Sequence, residues 1–303
     1  KILAIQGSSL KKINIKTDTS FFLGLEAQKR NYDIYYYEPK DLSFIDGKVT
    51  ARCSKLNFQD NTKKPIKILK KSVLNLIKAK VLLIRNEPPF NQQYINTTFI
   101  LEHIDKKLKI INNPKALRET PEKLFSLRLT KFMPSTLISE DLDEIKNFFN
   151  KNKEVVIKPI ESYGGNDIKL LKKFNKRYIS TYIKKYHHLM FQKFIPQISQ
   201  GDKRIFIING KVKGAISRIP KQGSILSNMS KGASAKKIRL SNQELKISKI
   251  VASELKKVNI YFAGIDFIKG RLIGDINVTS PTGLKTYYDL TGINLAKYFF
   301  DNI

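Results

Sequence analysis

The chain predicts two architectures in series: an N-terminal α/β half built on a doubly wound parallel sheet, then an α+β half of antiparallel strands and helices. Over the first hundred or so residues, short apolar strand signals alternate with helical spacing, the pattern of β-α-β crossovers with ligands at the strands' carboxyl ends. Farther on, strand signals flank Asn209-Gly210 and the Gly-containing turn Lys269-Gly270-Arg271, marks of antiparallel hairpins. A modest shift in composition around Pro114 to Pro121 places the boundary, giving an N-terminal domain over 1–120 and a second domain over 121–303.

In the first half, residues 2–6 predict a buried strand whose apolar stretch is too short for a signal peptide. Residues 21–29 predict a helix capped by Thr19 or Asp18, because a short oxygen-bearing side chain can accept from the unpaired N–H groups of the first turn. Strands follow at 32–37 and 81–85, the latter bounded by Asn86-Glu87-Pro88-Pro89, then a helix at 94–107 and a short strand at 109–112. In the second half, a helix begins at Glu122, the chain turns at Pro134, and 142–150 predicts an amphipathic helix. Residues 154–159 predict a strand, 204–208 and 212–217 a hairpin, and 262–268 with 272–278 another. Ser241-Asn242-Gln243-Glu244 is a capping box whose helix aligns Ile247, Ile250, Val251, Leu255 and Val258 on one face.

The 303 residues are 41 % hydrophobic, with 18 Phe and 13 Tyr, enough to build a core and too apolar for global disorder. No run approaches the roughly 18 apolar residues of a membrane span. A single cysteine, Cys53, excludes an internal disulfide and any multi-cysteine metal site, which fits a cytoplasmic enzyme. The formal charge of +30 would suit a nucleic-acid surface. However, the lysines are spread along the whole chain and accompany abundant Asn, Ile, Phe and Tyr, all encoded by AT-rich triplets. Neither a basic tail nor a basic-aromatic ribonucleoprotein motif is present, so the charge reads as codon bias that would still attract anionic substrates.

Chemistry concentrates near the C-terminus. Asp275-Ile276-Asn277 places two oxygen donors on one face of a strand by the period-two rule, and a hairpin can bring Asp266 beside them. Three hard oxygen donors suit magnesium held jointly with a nucleotide's phosphates. Lys158 ends an apolar strand just before Gly164-Gly165, so its ammonium can reach phosphates that glycine N–H groups approach closely. The strand through Gln192, Phe194 and Ile195 can line an adenine pocket. Walker, dinucleotide, zinc-helix and nucleophile-elbow motifs are absent. His103, His187 and His188 lack partners at ligand spacing.

Taken in order, Lys123, Lys158-Pro159, Gly164-Gly165, Gln192 to Ile195, Asp202-Lys203-Arg204, Arg218-Ile219-Pro220, Asp266 and Asp275-Ile276-Asn277 resemble the nucleotide site of ATP-grasp ligases. Asn14 to Ser20, Arg85 to Phe90, Asn113 to Arg118, Glu122 to Phe125, Asp275 to Gly283 and Thr291 to Asn294 extend the likeness nearly end to end, and within that superfamily the chain resembles bacterial glutathione synthetases. The resemblance implies an ATP-grasp fold behind an N-terminal substrate domain, with a lid subdomain at about 135–195 and a flexible loop at about 219–237. It implies that ATP phosphorylates the C-terminal carboxylate of γ-glutamylcysteine and that glycine attacks the acyl phosphate. Asp266, Asp275 and Asn277 would hold magnesium or manganese. Lys123, Lys158, Gly164, Gly165, Gln192, Phe194, Ile195 and Asp202 would bind ATP, and Arg204 and Arg218 would steady the transferring phosphoryl group. Lys16, Asp18, Arg85, Asn228, Ser280, Thr282 and Gly283 would bind peptide and glycine. A tetramer in the cytoplasm is implied, with small molecules, and neither nucleic acid nor membrane, as partners.

The chain departs from the family pattern at three places. Asp275 stands where glutamate is usual, after a turn expected to be one residue longer. Leu226 and Ser234 stand where arginines are expected, with Lys231, Lys236 and Lys237 as substitute charges. Ser162-Tyr163 replaces small or apolar residues before the glycine pair. Three alternatives stay open on sequence: a diverged paralogue joining another amine to a γ-glutamyl peptide; another carboxylate–amine ligase, for D-alanine or for ribosomal-protein glutamylation; and a nucleic-acid-binding protein, which would leave the carboxylate cluster unexplained.

Overall fold

The structure, a computed structural model, describes residues 1–60 and 63–303. The N-terminal region winds through β1 (Ile2–Gly7), α1 (Thr19–Lys29), β2 (Asp33–Tyr37), β3 (Leu42–Ile45), β4 (Lys48–Phe58), β5 (Ile66–Asn75), β6 (Val81–Arg85), α2 (Gln92–Glu102), β7 (Lys109–Ile111) and α3 (Pro114–Glu119). Asp18 caps α1 by accepting from Phe21 N–H at 2.7 Å. The sheet runs β3-β4-β2-β1-β6-β7, with β5 on β4. The pairs β1–β2, β1–β6 and β6–β7 are parallel, as expected from the crossovers.

The sheet is nevertheless mixed, because β3, β4 and β5 add antiparallel pairings where the sequence reading assigned no element. β4 alternates cleanly, burying Val49, Ala51 and Cys53, until an irregularity at Lys55/Leu56 shifts the phase to Leu56 and Phe58. β5 exposes most of both faces and carries no period-two signal. The predicted helix from 94 to 107 also ends sooner, at Glu102, and turns occupy the residues that follow.

The second region opens with α4 (Glu122–Phe125). A four-stranded sheet follows, of β8 (Thr136–Ser139), β9 (Val155–Pro159), β10 (Lys169–Leu171) and β11 (Leu189–Lys193) in the order β10-β9-β11-β8, interrupted by α5 (Leu142–Asn152) and α6 (Lys176–Tyr186). This sheet has its own small core of Ile145, Phe149, Val155, Ile157, Leu171, Ile179, Leu189 and Phe191. The last sheet contains β12 (Asp202–Ile208), β13 (Lys211–Ile219), β14 (Ser234–Lys237), β15 (Phe262–Ile268) and β16 (Arg271–Asn277), in the order β14-β13-β12-β15-β16, with α7 (Asn242–Lys257) between β14 and β15. Asn209 (φ 49°) and Gly210 (φ 68°) form the β12–β13 turn, and both central residues sit in the left-handed region that a type I′ hairpin requires. In α7, Ile247, Val251 and Leu255 are buried, and Ile250 and Val258 pack at the rim of the same core.

α8 (Leu284–Thr291) and α9 (Leu295–Asp301) return the chain to the N-terminal sheet, where Arg30 pairs with Asp301 at 2.6 Å. The two halves are also tied by a buried amide. Asn112 Oδ1 accepts from Tyr261 and Phe262 N–H, while its Nδ2 donates to Phe262 O and Val278 O, all within 2.9 Å. Every hydrogen-bonding capacity of that side chain is used, so β7 fixes the end of β16.

Candidate active site

A cavity of about 900 Å³, open to solvent, lies between the four-stranded sheet and the last sheet. Its walls include Lys123, Lys158, Gly164, Gly165, Gln192, Phe194, Ile195, Asp202, Arg218, Asn228, Asp266, Asp275 and Asn277, residues far apart in sequence that the fold brings together. Lys158 lies on β9 opposite Met190, and its ammonium donates to Ile273 O at 2.7 Å. Lys123, on α4, donates to Ser162 O. Both ammonium groups flank one carboxylate: Asp275 lies 3.7 Å from Lys123 Nζ and 3.4 Å from Lys158 Nζ.

The β15–β16 register explains how a shorter acid reaches this place. Lys269 (φ 45°) and Gly270 (φ 73°) make a tight two-residue turn, so the turn itself is not long. Ile265 pairs with Ile276 and Phe267 with Leu272, which leaves Ile273, Gly274 and Asp275 opposite Asp266 alone. Three residues against one make a bulge inside β16, where Gly274 has φ 82°, and a bulge re-aims the side chains beside it.

Behind Asp275 and Asn277 lies a buried quartet of charges. Arg204 sits directly across the ladder from Asp266, and Asp202 directly across from Arg218. Arg204 grips Asp266 with two nitrogens, Nη2 at 2.8 Å, and Arg218 reaches Asp266 at 3.0 Å as well as both oxygens of Asp202. Burial works to raise the Asp266 carboxyl, but two guanidinium groups outweigh it and hold it well below the usual carboxylate range. Asp202 moves up instead: burial raises it, Arg218 offsets only part of that, and repulsion from Asp266 adds to the rise. Burial also works against the Arg218 charge, yet its two carboxylate partners prevail and keep the group cationic at the cavity wall. Arg204 is one layer back, its Nη1 3.5 Å from Thr282 O.

A second crevice follows from the sheet order. The chain leaves β1 toward β2 on one side and returns to β6 on the other, so the carboxyl ends of β1 and β6 diverge at a topological switch point. Here Glu87 N–H donates to Ser8 Oγ at 3.1 Å, and Gln6 Nε2 to Asn86 Oδ1 at 2.9 Å. Arg85 is buried and donates to Ser20 Oγ (3.1 Å) and Pro281 O (2.9 Å), and its Nη1 is a buried donor with no hydrogen-bond partner. Burial pulls the Arg85 guanidinium below its ordinary value, opposed by Asp18. Ser280 Oγ donates to Arg85 O at 3.0 Å, and Thr19 Oγ1 accepts from Gly283 N–H at 3.1 Å. The segment leaving β16 is thus laced into the switch-point crevice. Lys16 is exposed in the loop before α1.

The sequence models of the prokaryotic glutathione synthetase N-terminal domain and ATP-grasp domain match residues 2–118 and 122–292. The chain belongs to the prokaryotic glutathione synthetase family. Curated glutathione synthetases of Bradyrhizobium diazoefficiens and of Buchnera aphidicola subsp. Schizaphis graminum are 36 % and 35 % identical to it, each over 99 % of this chain and 97 % of the relative. Among solved structures, the D-cycloserine synthetase DcsG has a TM-score of 0.68 at 12 % identity, covering 99 % of this chain and 98 % of that one. The ATP-grasp ligase PsnB, complexed with a precursor variant, Mg and ADP, has a TM-score of 0.66 at 14 % identity, covering 99 % of this chain and 96 % of that one. At such low identity these two speak for the ATP-grasp fold alone.

Membership in this family makes the chain an ATP-grasp ligase that uses ATP with a divalent metal. Among the described residues no three His, Cys, Asp or Glu side chains form a metal cluster; the hard oxygen donors that could hold a divalent ion together with a nucleotide are Asp275, the Asn277 side-chain oxygen and Asp266, whose two oxygens already accept from Arg204, Arg218 and Asn277. The donor chemistry fits. Asn277 Nδ2 is committed to Gly264 O (3.1 Å) and Asp266 Oδ2 (3.3 Å), which leaves its side-chain oxygen as the available ligand.

Several lining residues were not singled out from sequence. Ser227 donates to Asp202 Oδ2 at 2.5 Å, and Lys231 to Asn166 Oδ1 at 2.8 Å, so the 220–233 loop is tied down across the cavity. Leu226, where arginine is expected, contributes an apolar wall beside Gly165, whereas Ser234, Lys236 and Lys237 lie exposed on β14. Gln192 donates to Thr136 Oγ1 at 3.0 Å, and Phe194 N–H to Glu154 O at 3.0 Å. The amide donors at both positions therefore already have partners. Ser8 and Ser227 were given no individual role from sequence, because a polar residue in a loop is unremarked until topology sets it at a site.

Proposed function

We propose that this chain is the ligase that joins the C-terminal carboxylate of γ-L-glutamyl-L-cysteine to glycine through an acyl phosphate, releasing glutathione, ADP and phosphate. One observation carries the reading. In a chain alike to glutathione synthetases over 99 % of its length, Lys123 and Lys158 face Asp275 across a cavity that also holds Asn277 and Arg218.

Lys123 and Lys158 neutralise phosphate oxygens, and Gly164 and Gly165 let the backbone approach them. Gln192, Phe194 and Ile195 frame the base, and Asp202 holds Arg218 toward the cavity. Asp266, Asp275 and Asn277 would hold magnesium, or manganese, which would neutralise charge on the transferring phosphoryl group. Arg218, secured by two carboxylates, needs no reorganisation as charge develops on the oxygens, and Arg204 acts beside it from the peptide side. Arg85 meets the dipeptide with its free Nη1, helped by Lys16, Asp18 and Asn228. Ser280, Thr282 and Gly283 position the reacting carboxylate and glycine. The dipeptide carboxylate oxygen bonds to the γ-phosphorus as the phosphorus–oxygen bond to ADP breaks; the glycine nitrogen then bonds to the acyl carbon, the carbon–oxygen bond to phosphate breaks, and phosphate leaves with the electron pair and takes up the proton the nitrogen gives up.

In this reading residues 1–120 form the substrate domain and 121–303 the ATP-grasp domain. The sheet with its own core, about 135–195, is the lid, and 219–237 is the closing loop. The enzyme works in the cytoplasm as a homotetramer, which sedimentation velocity tests. The decisive assay is phosphate release from ATP with magnesium and γ-glutamylcysteine, with glycine added or omitted and with serine or alanine as rivals. Release that requires both substrates and prefers glycine is expected; glycine-independent release, or none, overturns the proposal.

A further inference from the structure

Glu122 lies at the junction of everything described above, yet no role has been assigned to it. Its Oε1 accepts three hydrogen bonds, from Val278 N–H at 3.0 Å, Thr279 N–H at 3.2 Å and Thr279 Oγ at 2.9 Å. These donors belong to the two residues directly after Asn277, at the start of the segment that continues through Ser280 to Gly283. On its other side Glu122 is the chain neighbour of Lys123, which it places opposite Asp275. Glu122 is half-buried and lines the cavity; burial raises its carboxyl, and the Lys123 charge and the three donors offset that only in part.

We propose that Glu122 is a positioning residue: it clamps the Val278-Thr279 main chain to the helix that carries Lys123 and thereby sets the peptide segment in register with the phosphate site. The physical need is plain. Segment 278–283 leaves the last strand as irregular backbone, and such backbone holds an in-line geometry only if its N–H groups are fixed by something rigid. Below the clamp the segment is held by Arg85 and Thr19. At its start Glu122 supplies the anchor from the nucleotide domain, so one side chain couples where ATP sits to where the dipeptide sits. The proposal deepens the glutathione-forming reading and rests on it only for the identity of the dipeptide.

The test pairs a carboxylate series with a hydroxyl series. Glu122→Ala removes every acceptor, and Glu122→Gln keeps a carbonyl oxygen with fewer lone pairs. Thr279→Val removes one donor, and Thr279→Ser restores it. Expected are a loss of about ten- to hundredfold in kcat/KM for γ-glutamylcysteine in Glu122→Ala and partial recovery in Glu122→Gln. Thr279→Val should lose about two- to tenfold, with Thr279→Ser near wild type, while calorimetric affinity for Mg-ADP stays within about threefold throughout. A merely structural role would weaken Mg-ADP and dipeptide parameters together, and that outcome overturns the proposal. So does a folded Glu122→Ala protein with unchanged kcat/KM. Should Glu122→Ala not fold, a Thr279→Val enzyme identical to wild type overturns it. Amide hydrogen exchange over 278–283 in the substrate-free protein must accelerate in Glu122→Ala or Thr279→Val, and unchanged protection sinks the clamp. This last readout decides even if wild type proves inactive with γ-glutamylcysteine, which would defeat the substrate assignment instead.

Discussion

Asp275 carries two charges' worth of consequence. Its carboxylate lies between Lys123 and Lys158, the very groups assigned to phosphate. An incoming phosphate must therefore displace it, or a cation must draw it away, since the two anions repel each other at this spot. Asp275→Asn is expected to abolish glutathione formation and weaken Mg-ATP binding, yet to tighten binding of metal-free ATP because the lysines are freed. Calorimetric titration with excess chelator and with magnesium separates the two effects, and equal shifts in both would refute the picture. Of the residue-level assignments, Asp266, Asp275 and Asn277 were legible because strand period and a turn dipeptide suffice to bring them together. The Arg204–Asp266 and Arg218–Asp202 pairings were not, because ladder register across three strands is a tertiary fact.

At the scale of elements, the glycine loop and the closing loop depend on each other. Gly165 has φ +76°, and a Cβ there would meet Asn228 Oδ1 at 2.6 Å, whereas Gly223 has φ +79° with nothing within 4 Å. A side chain at either position meets about 1–2 kcal/mol of steric strain in the left-handed region, but only Gly165→Ala also presses on Asn228 of the 220–233 loop. Gly165→Ala is expected to weaken ATP binding severalfold, and Gly223→Ala to leave it near wild type; thermal melts of both variants report the shared strain. Helix and strand periodicity had already located α1, α7, β6 and both hairpins within a few residues. It failed at β4, where a bulge breaks the alternation, and at β5, where most of both faces is exposed.

At the scale of the molecule, the formal net charge is +30. Such a field speeds encounter with ATP and is screened over roughly 10 Å at 0.1 M salt. Accordingly, kcat/KM for ATP is expected to fall severalfold between low and 0.3 M ionic strength with kcat little changed, which steady-state kinetics across a salt series will check. Among the described residues no helix is long and apolar enough to cross a membrane.

What the sequence determined by itself was local and ordinal: which segments are helical or extended, which turns reverse the chain, and the order of chemically distinctive residues along a familiar ligase pattern. Those properties depend on neighbours a few positions apart, where steric and hydrogen-bonding rules act directly. The tertiary structure decided everything that depends on register and topology. It put a bulge into the strand at Asp275, and it buried alternating arginines and aspartates across three strands. It also opened the crevice between β1 and β6 and set Glu122 against the backbone behind Asn277. Each of these requires contacts between residues tens to hundreds of positions apart, and no local rule carries that information.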